Sequence, residues 1–107
     1  EPVALPDTAG GRVAAGFLAM IASDDESVWR DYVLNRMSDE MRAFAPMEGH
    51  LGMMRQMHQD FMDAQIVSVF ESENMIELGL RDPHSGETIP VVIEYAADGS
   101  VTGLLLG

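Results

Sequence analysis

Apolar and polar residues alternate most strictly in Thr88–Tyr95, where Ile89, Val91, Ile93 and Tyr95 point one way and Thr88, Pro90, Val92 and Glu94 the other. That period of two, carried by β-branched and aromatic residues, predicts a strand. Met75–Arg81 repeats it through Ile76, Leu78 and Leu80. Ala64–Ser72 comes earlier, with Ile66, Val67, Val69 and Phe70 implying partial burial on both faces, and Val101–Leu106 closes the series. Glu73-Asn74, the turn formers from Asp82 to Gly86, and Asp98-Gly99 separate the runs. The four strands therefore predict an antiparallel meander. Pro90 cannot donate a ladder hydrogen bond, so a bulge or an unpaired position is expected there, helping the sheet to curl.

Ahead of the strands the period is 3.6. After an extended lead-in, Glu1–Pro6, Asp7 or Thr8 caps a helix reaching about Ala22, with Ala14, Phe17, Leu18 and Ile21 as its stripe. Gly10, Gly11 and Gly16 weaken that helix by roughly 1 kcal/mol each relative to Ala, so packing must compensate or another backbone must come close. Ser23-Asp24-Asp25 opens a second helix, Glu26–Asn35, whose inner face is Val28, Trp29, Tyr32 and Val33. Ser38 caps a short segment, Asp39–Phe44, and Ala45-Pro46 ends it. The fourth helix, about Met47–Met62, has Met47, Leu51, Met54, Met57 or His58, and Phe61 on its stripe. Helices followed by strands predict an α+β fold: three to four N-terminal helices on the concave face of a curved four-stranded antiparallel sheet, in a single domain over residues 1–107.

Composition narrows the partners. Acids outnumber bases by 18 to 6, every base is Arg, and the net charge is −12. Phosphate backbones and anionic lipid surfaces would repel such a chain, so neither nucleic acid nor membrane is an expected partner. No apolar run approaches the ~18 residues that span a bilayer. The absence of cysteine excludes disulfides and thiolate metal sites. The chain begins with Glu1-Pro2 in place of Met. A removed export signal or an artificial boundary explains that, and the expected location is exported, periplasmic or extracellular, in preference to cytoplasmic.

Candidate chemistry is sparse. His50, Met53, Met54, Met57 and His58 crowd one helix, and thioether with imidazole suits Cu(I). Yet His50 and His58 stand about 80° apart round a helix and about 12 Å along it, so one ion cannot join them; Met54 and His58 share a face, where Met is a flexible core filler. His50, His58 and His84 are the only histidines, too few in convergent positions for zinc. No metal and no cofactor is therefore expected. No Ser sits in a G-x-S-x-G elbow, and Gly10-Gly11 has neither a strand before it nor a Lys after it. Asp24–Glu26 reads as a helix cap, since the alternating ligands of a calcium loop are missing.

Several segments in order carry a family resemblance: L-P-D-T-A-G-G-R-V-A-A-G-F-L-A-M-I, D-D-E-S-V-W-R-D-Y-V, A-P-M-E-G-H-L-G-M-M-R-Q-M-H, I-V-S-V-F-E-S and I-E-Y-A-A-D-G-S-V-T-G-L-L-L. Together, over Leu5–Leu106, they resemble the small bacterial domain found ahead of secreted serine hydrolases of the β-lactamase-like and tail-specific-peptidase kinds. That domain resembles the nuclear-transport-factor-2-like, or cystatin-like, cone fold. The resemblance implies a cone with an apolar pocket between helices and sheet, and no chemistry.

The expected function is a non-catalytic accessory or binding domain, contacting a partner domain or protein or holding a small apolar ligand. Trp29, Tyr32, Met54, His58 and Tyr95 are the expected pocket residues, supplying shape and one or two hydrogen bonds. A serine-hydrolase domain in the full-length protein is one expected partner. A second copy meeting the outer face of the sheet at Val67, Val69 and Val92 is another, by analogy with other cone-fold dimers. The alternative is a small isomerase- or hydratase-like enzyme with His58 as base and Tyr32 or Tyr95 as donor. It requires His58 to face an open cavity within reach of a hydroxyl.

Overall fold

In the computed structural model, which describes residues 3–106, four helices precede four strands. Glu1 and Pro2, the start of the expected lead-in, lie outside the described residues. Helix α1 is Ala9–Ala22, α2 Glu26–Asn35, α3 Asp39–Ala43 and α4 Met47–Phe61; the strands are β1 Gln65–Ser72, β2 Met75–Arg81, β3 Thr88–Tyr95 and β4 Val101–Leu106. Phe44 and Met62 terminate their helices as C-caps, and Ala64 stands just outside β1.

Side chains start three of the helices. The Thr8 hydroxyl accepts from Gly11 N–H, the Asp25 carboxylate from Ser27 N–H, and the Ser38 hydroxyl from Met41 N–H, each satisfying a donor left free by the first helical turn. Helix α4 starts at Pro46 with no side-chain cap. Its buried stripe is His50, Leu51, Met54, Met57 and Phe61.

The strands pair in the order β1-β2-β3-β4, all antiparallel. Ile76, Leu78, Leu80, Val91 and Ile93 are almost wholly buried on one face, against Phe17, Ile21 and Met54 of the helices. The fold is thus α+β, with the helices on one side of the meander. Truncating a side chain such as Leu78 to Ala should cost about 2–5 kcal/mol.

Three local expectations are corrected. Val69 faces inward, opposite Leu78, because the β1–β2 register shifts between Ile66 and Ser68; the extra residue, Val67, reverses the alternation beyond it. Phe70, opposite Glu77, takes the outer face and is 60 % exposed. Val28 is exposed, so the inner face of α2 is Trp29, Tyr32 and Val33. Pro90 pairs with Gly79 on the β2 side without a bulge, and among the described residues it has no partner on the β4 side, the unpaired position that the sequence allows for. Tyr95 N–H donates toward β2, to Asn74, and Ala96 N–H toward β4, to Ser100. By alternation the nitrogen of Pro90 faces the β4 side, beyond the last described pair, Val91 with Leu106, so its missing N–H disturbs no rung among the described residues.

The same alternation turns Gly103 and Leu105 toward β3 and leaves the N–H and C=O of Leu104 pointing out from the sheet edge. Among the described residues only the start of that edge is paired. Val101 N–H donates to Arg36 C=O at 2.7 Å and Ser38 N–H to Val101 C=O at 2.8 Å, a parallel rung made by the α2–α3 connection. At the opposite edge, Val3 N–H donates to Ile66 C=O at 2.8 Å.

Candidate functional site

The five expected pocket residues do not converge on one hollow. Trp29 and His58 meet at the C-terminal end of α1, with ring centroids 6.1 Å apart. The Trp29 Nε1–H donates to Ser23 C=O at 3.0 Å and Met20 C=O at 3.2 Å. His58 donates its Nδ1–H to Ile21 C=O at 2.7 Å. Carbonyls at a helix C-terminus lack intrahelical partners, and here two side chains from α2 and α4 supply them. Arg55 lies over the Trp29 ring at 5.9 Å and approaches Glu26 at 3.6 Å, closing the corner from outside.

Met54 is 1 % exposed and belongs to the shared core. Tyr95 is buried as a residue, but its hydroxyl reaches the rim, where it donates to Glu71 at 3.4 Å; the other Glu71 oxygen accepts from the Thr8 hydroxyl at 2.8 Å. Gly10 makes room for this pair, since a Cβ there would lie 2.5 Å from the Glu71 carboxylate and 2.7 Å from the Tyr95 hydroxyl. Desolvation first, and then the neighbouring Glu71 charge, push the Tyr95 phenol above its ordinary value. Tyr32 is buried with its hydroxyl unpartnered. Burial pushes its phenol well up, against a smaller opposing effect of Arg36.

Trp29, Met54, His58 and Tyr95 line none of the four cavities of this fold described here. Between helices and sheet, Phe17, Ile21, Met54, Ile76 and Leu78 are almost wholly buried. His58 makes no hydrogen bond to Tyr32 or Tyr95, so the geometry required by an isomerase-like pair is not formed.

Open space lies elsewhere. A groove of about 380 Å³ runs along β4 beneath α3 and the start of α4, bordered by Glu40, Phe44, His50, Met53 and Leu104. Phe44 is 89 % exposed, and Met53, Leu105 and Leu106 are each at least 40 % exposed. His50 is 2 % exposed. Its Nε2–H donates to Arg42 C=O at 3.0 Å, and its buried Nδ1 has no hydrogen-bond partner among the described residues.

The sequence pattern weighed His50 only as a metal ligand and passed over Phe44. His50 adjoins Leu51 on the buried side of α4, a signal available from the stripe; Phe44 stands out only once α3 stops at Ala43. Glu71 was hidden by the bulge, which brings it onto the inner face opposite Ile76.

A further hollow of about 270 Å³ is bordered by Asp60, Asp63, Asp82 and His84. The Asp82 carboxylate already accepts from His84 N–H and the Ser85 hydroxyl. Among the described residues no group of three or more His, Asp or Glu could hold a metal ion, and no helix is long and apolar enough to cross a membrane. Comparison with protein-family models and with curated proteins finds no match to this chain.

Proposed function

We propose that this chain is a non-catalytic binding module that docks a partner protein in the groove beside β4. The observation that carries the reading is the meeting, in one groove, of Phe44 at 89 % exposure with an open sheet edge. Large apolar side chains clustered in water mark contact surfaces. The outward N–H and C=O of Leu104 offer main-chain bonds to an extended segment, while the groove receives alternate side chains.

The occupant is an extended segment of another protein or domain, with apolar side chains set between Lys or Arg. Among the described residues Glu40 is the only acidic or Arg side chain bordering the groove, and the chain carries −12. A cationic segment is drawn to such a field, and a second copy is repelled by it. The outer face of the sheet carries Glu77 and Glu94 among its apolar residues, so a dimer through that face would set like charges together. The resemblance to domains preceding secreted serine hydrolases supports such a hydrolase domain as the source of the segment, and an exported location with it. The isomerase-like alternative is the less favoured reading, because neither Tyr32 nor Tyr95 forms a hydrogen bond with His58.

Panning short randomised peptides against the chain tests this reading. Enriched sequences should alternate apolar residues with Lys or Arg, protect the Leu104 amide from hydrogen exchange, and lose binding to the Phe44→Ser variant. Acidic or helical sequences, or enrichment indifferent to Phe44→Ser, would overturn it, as would a dimer in solution that buries Phe44.

A further inference from the structure

A separate cleft of about 400 Å³ opens between α1, the end of α2 and the β3–β4 hairpin, and shares no bordering residue with the β4 groove. Arg12, Arg36 and Asp98 are its charged residues. A narrow hollow of about 10 Å³ continues it inward: Arg12, Val13, Arg36 and Gly99 border both, and Tyr32 borders the inner one. That inner space fits about one water molecule or one ligand oxygen. Tyr32 is 5 % exposed, and its hydroxyl has no partner among the described residues.

The two arginines are a third of the bases in a chain of net charge −12, so their convergence runs against the surrounding field. Arg36 forms no ion pair among the described residues. Arg12 meets only the exposed Asp7, at 3.4 Å. The Arg36 backbone is fixed by its carbonyl, which accepts from Val101, so the base of its side chain is anchored beside the cleft.

We infer that this two-part cleft binds a small monocarboxylate, its carboxylate held between the Arg12 and Arg36 guanidinium groups with one oxygen accepting from the Tyr32 hydroxyl. Guanidinium forks match the planar, two-oxygen geometry of a carboxylate. Ala9, Val13 and Ala97 give the outer cleft apolar wall for a short carbon body. Asp98 sets the charge limit. Its carboxylate accepts from Ser100 N–H at 2.9 Å and Ser100 Oγ at 2.7 Å, and these bonds hold its pKa below the usual range, so it stays ionised. Asp98 in the cleft and Asp7 on Arg12 offset the two guanidinium charges, so the cleft is near neutral before a ligand enters, and a dianion such as phosphate is disfavoured relative to a single carboxylate.

The test is titration of the whole chain with sodium butyrate and sodium benzoate, at ionic strength held constant with chloride, followed by amide and arginine side-chain NMR. Saturable shifts are expected at Arg36, Gly99 and Ser100, absent with chloride alone and weaker with inorganic phosphate. Arg36→Gln, an exposed change, should weaken binding by about tenfold, the worth of a charge-assisted hydrogen bond. Tyr32→Phe should keep the native amide spectrum and weaken binding severalfold, whereas Phe44→Ser should leave it unchanged, which separates this site from the β4 groove. Shifts that do not saturate, shifts equal in Arg36→Gln, or phosphate binding tighter than both carboxylates would overturn the assignment. Unchanged affinity in Tyr32→Phe would overturn the inner contact.

Discussion

His58 donates its Nδ1–H to the main-chain carbonyl of Ile21 at 2.7 Å, across 37 residues of chain. The bond ties the last turn of α4 to the last turn of α1, and Trp29 ties α2 to the same place through Met20 and Ser23. His58→Ala would leave a carbonyl at a packed helix end without its partner, at a cost of about 1–3 kcal/mol. Trp29→Phe keeps most of the ring and should cost about as much through the lost N–H. The two act on one helix end, so urea unfolding of the double variant should depart from additivity by about 0.5–3 kcal/mol. Strict additivity would mean that the two contacts stabilise the helix end independently.

Tyr32→Phe should leave stability at neutral pH unchanged or raise it by up to about 1 kcal/mol, because it removes a buried hydroxyl with no partner. The folded-state pKa of Tyr32 is raised above the unfolded value of ~10. Its contribution to stability is therefore intact below about pH 10 and is lost as pH rises from there through the folded value. Urea midpoints measured up the alkaline range should fall less steeply in Tyr32→Phe than in the wild type. Tyr95 is shifted in the same direction and should sustain part of the remaining slope.

Gly10→Ala sets two effects against each other. Alanine gains roughly 1 kcal/mol of helix propensity over glycine. Its Cβ, however, would meet the Glu71 carboxylate at 2.5 Å and the Tyr95 hydroxyl at 2.7 Å. Displacing Glu71 is the cheaper escape, since that side chain is exposed. The expected result is a net loss of about 1 kcal/mol, within the usual range for a strained substitution. Tyr95 should also ionise at lower pH in an absorbance titration, because the nearby carboxylate that raises its pKa has moved.

Phe44→Ser should change stability by no more than about 0.5 kcal/mol, since an exposed ring contributes little to the core. Any larger loss in thermal unfolding would show that Phe44 supports α3 and is not held free for a partner.

Strand bounds were the most legible feature: β2, β3 and β4 begin and end where alternation and turn residues set them. The helices were legible to within a residue at their ends, as caps such as Thr8, Asp25 and Ser38 allow. Facing was less legible. A single extra residue at Val67 reverses the sides of Val69 and Phe70, and no period measured on β1 alone reveals the register of its partner. The candidate site was the least legible. Trp29 and His58 read as pocket residues because a polar tip on an apolar stripe fits either role. Only the position of the α1 carbonyls, far off in sequence, decides for capping. Arg12 and Arg36 come from different helices, and nothing in their spacing places them at one cleft.

The short pairing of Arg36–Ser38 with Val101 has a further consequence. The chain itself lays the first stitch of an extra row and then turns away into α3, so the strand proposed to dock there would have to begin beyond that stitch. Its start is thereby fixed and sliding is curtailed, while indiscriminate edge-to-edge stacking meets a blocked entrance. A row begun but not completed favours one threading over many.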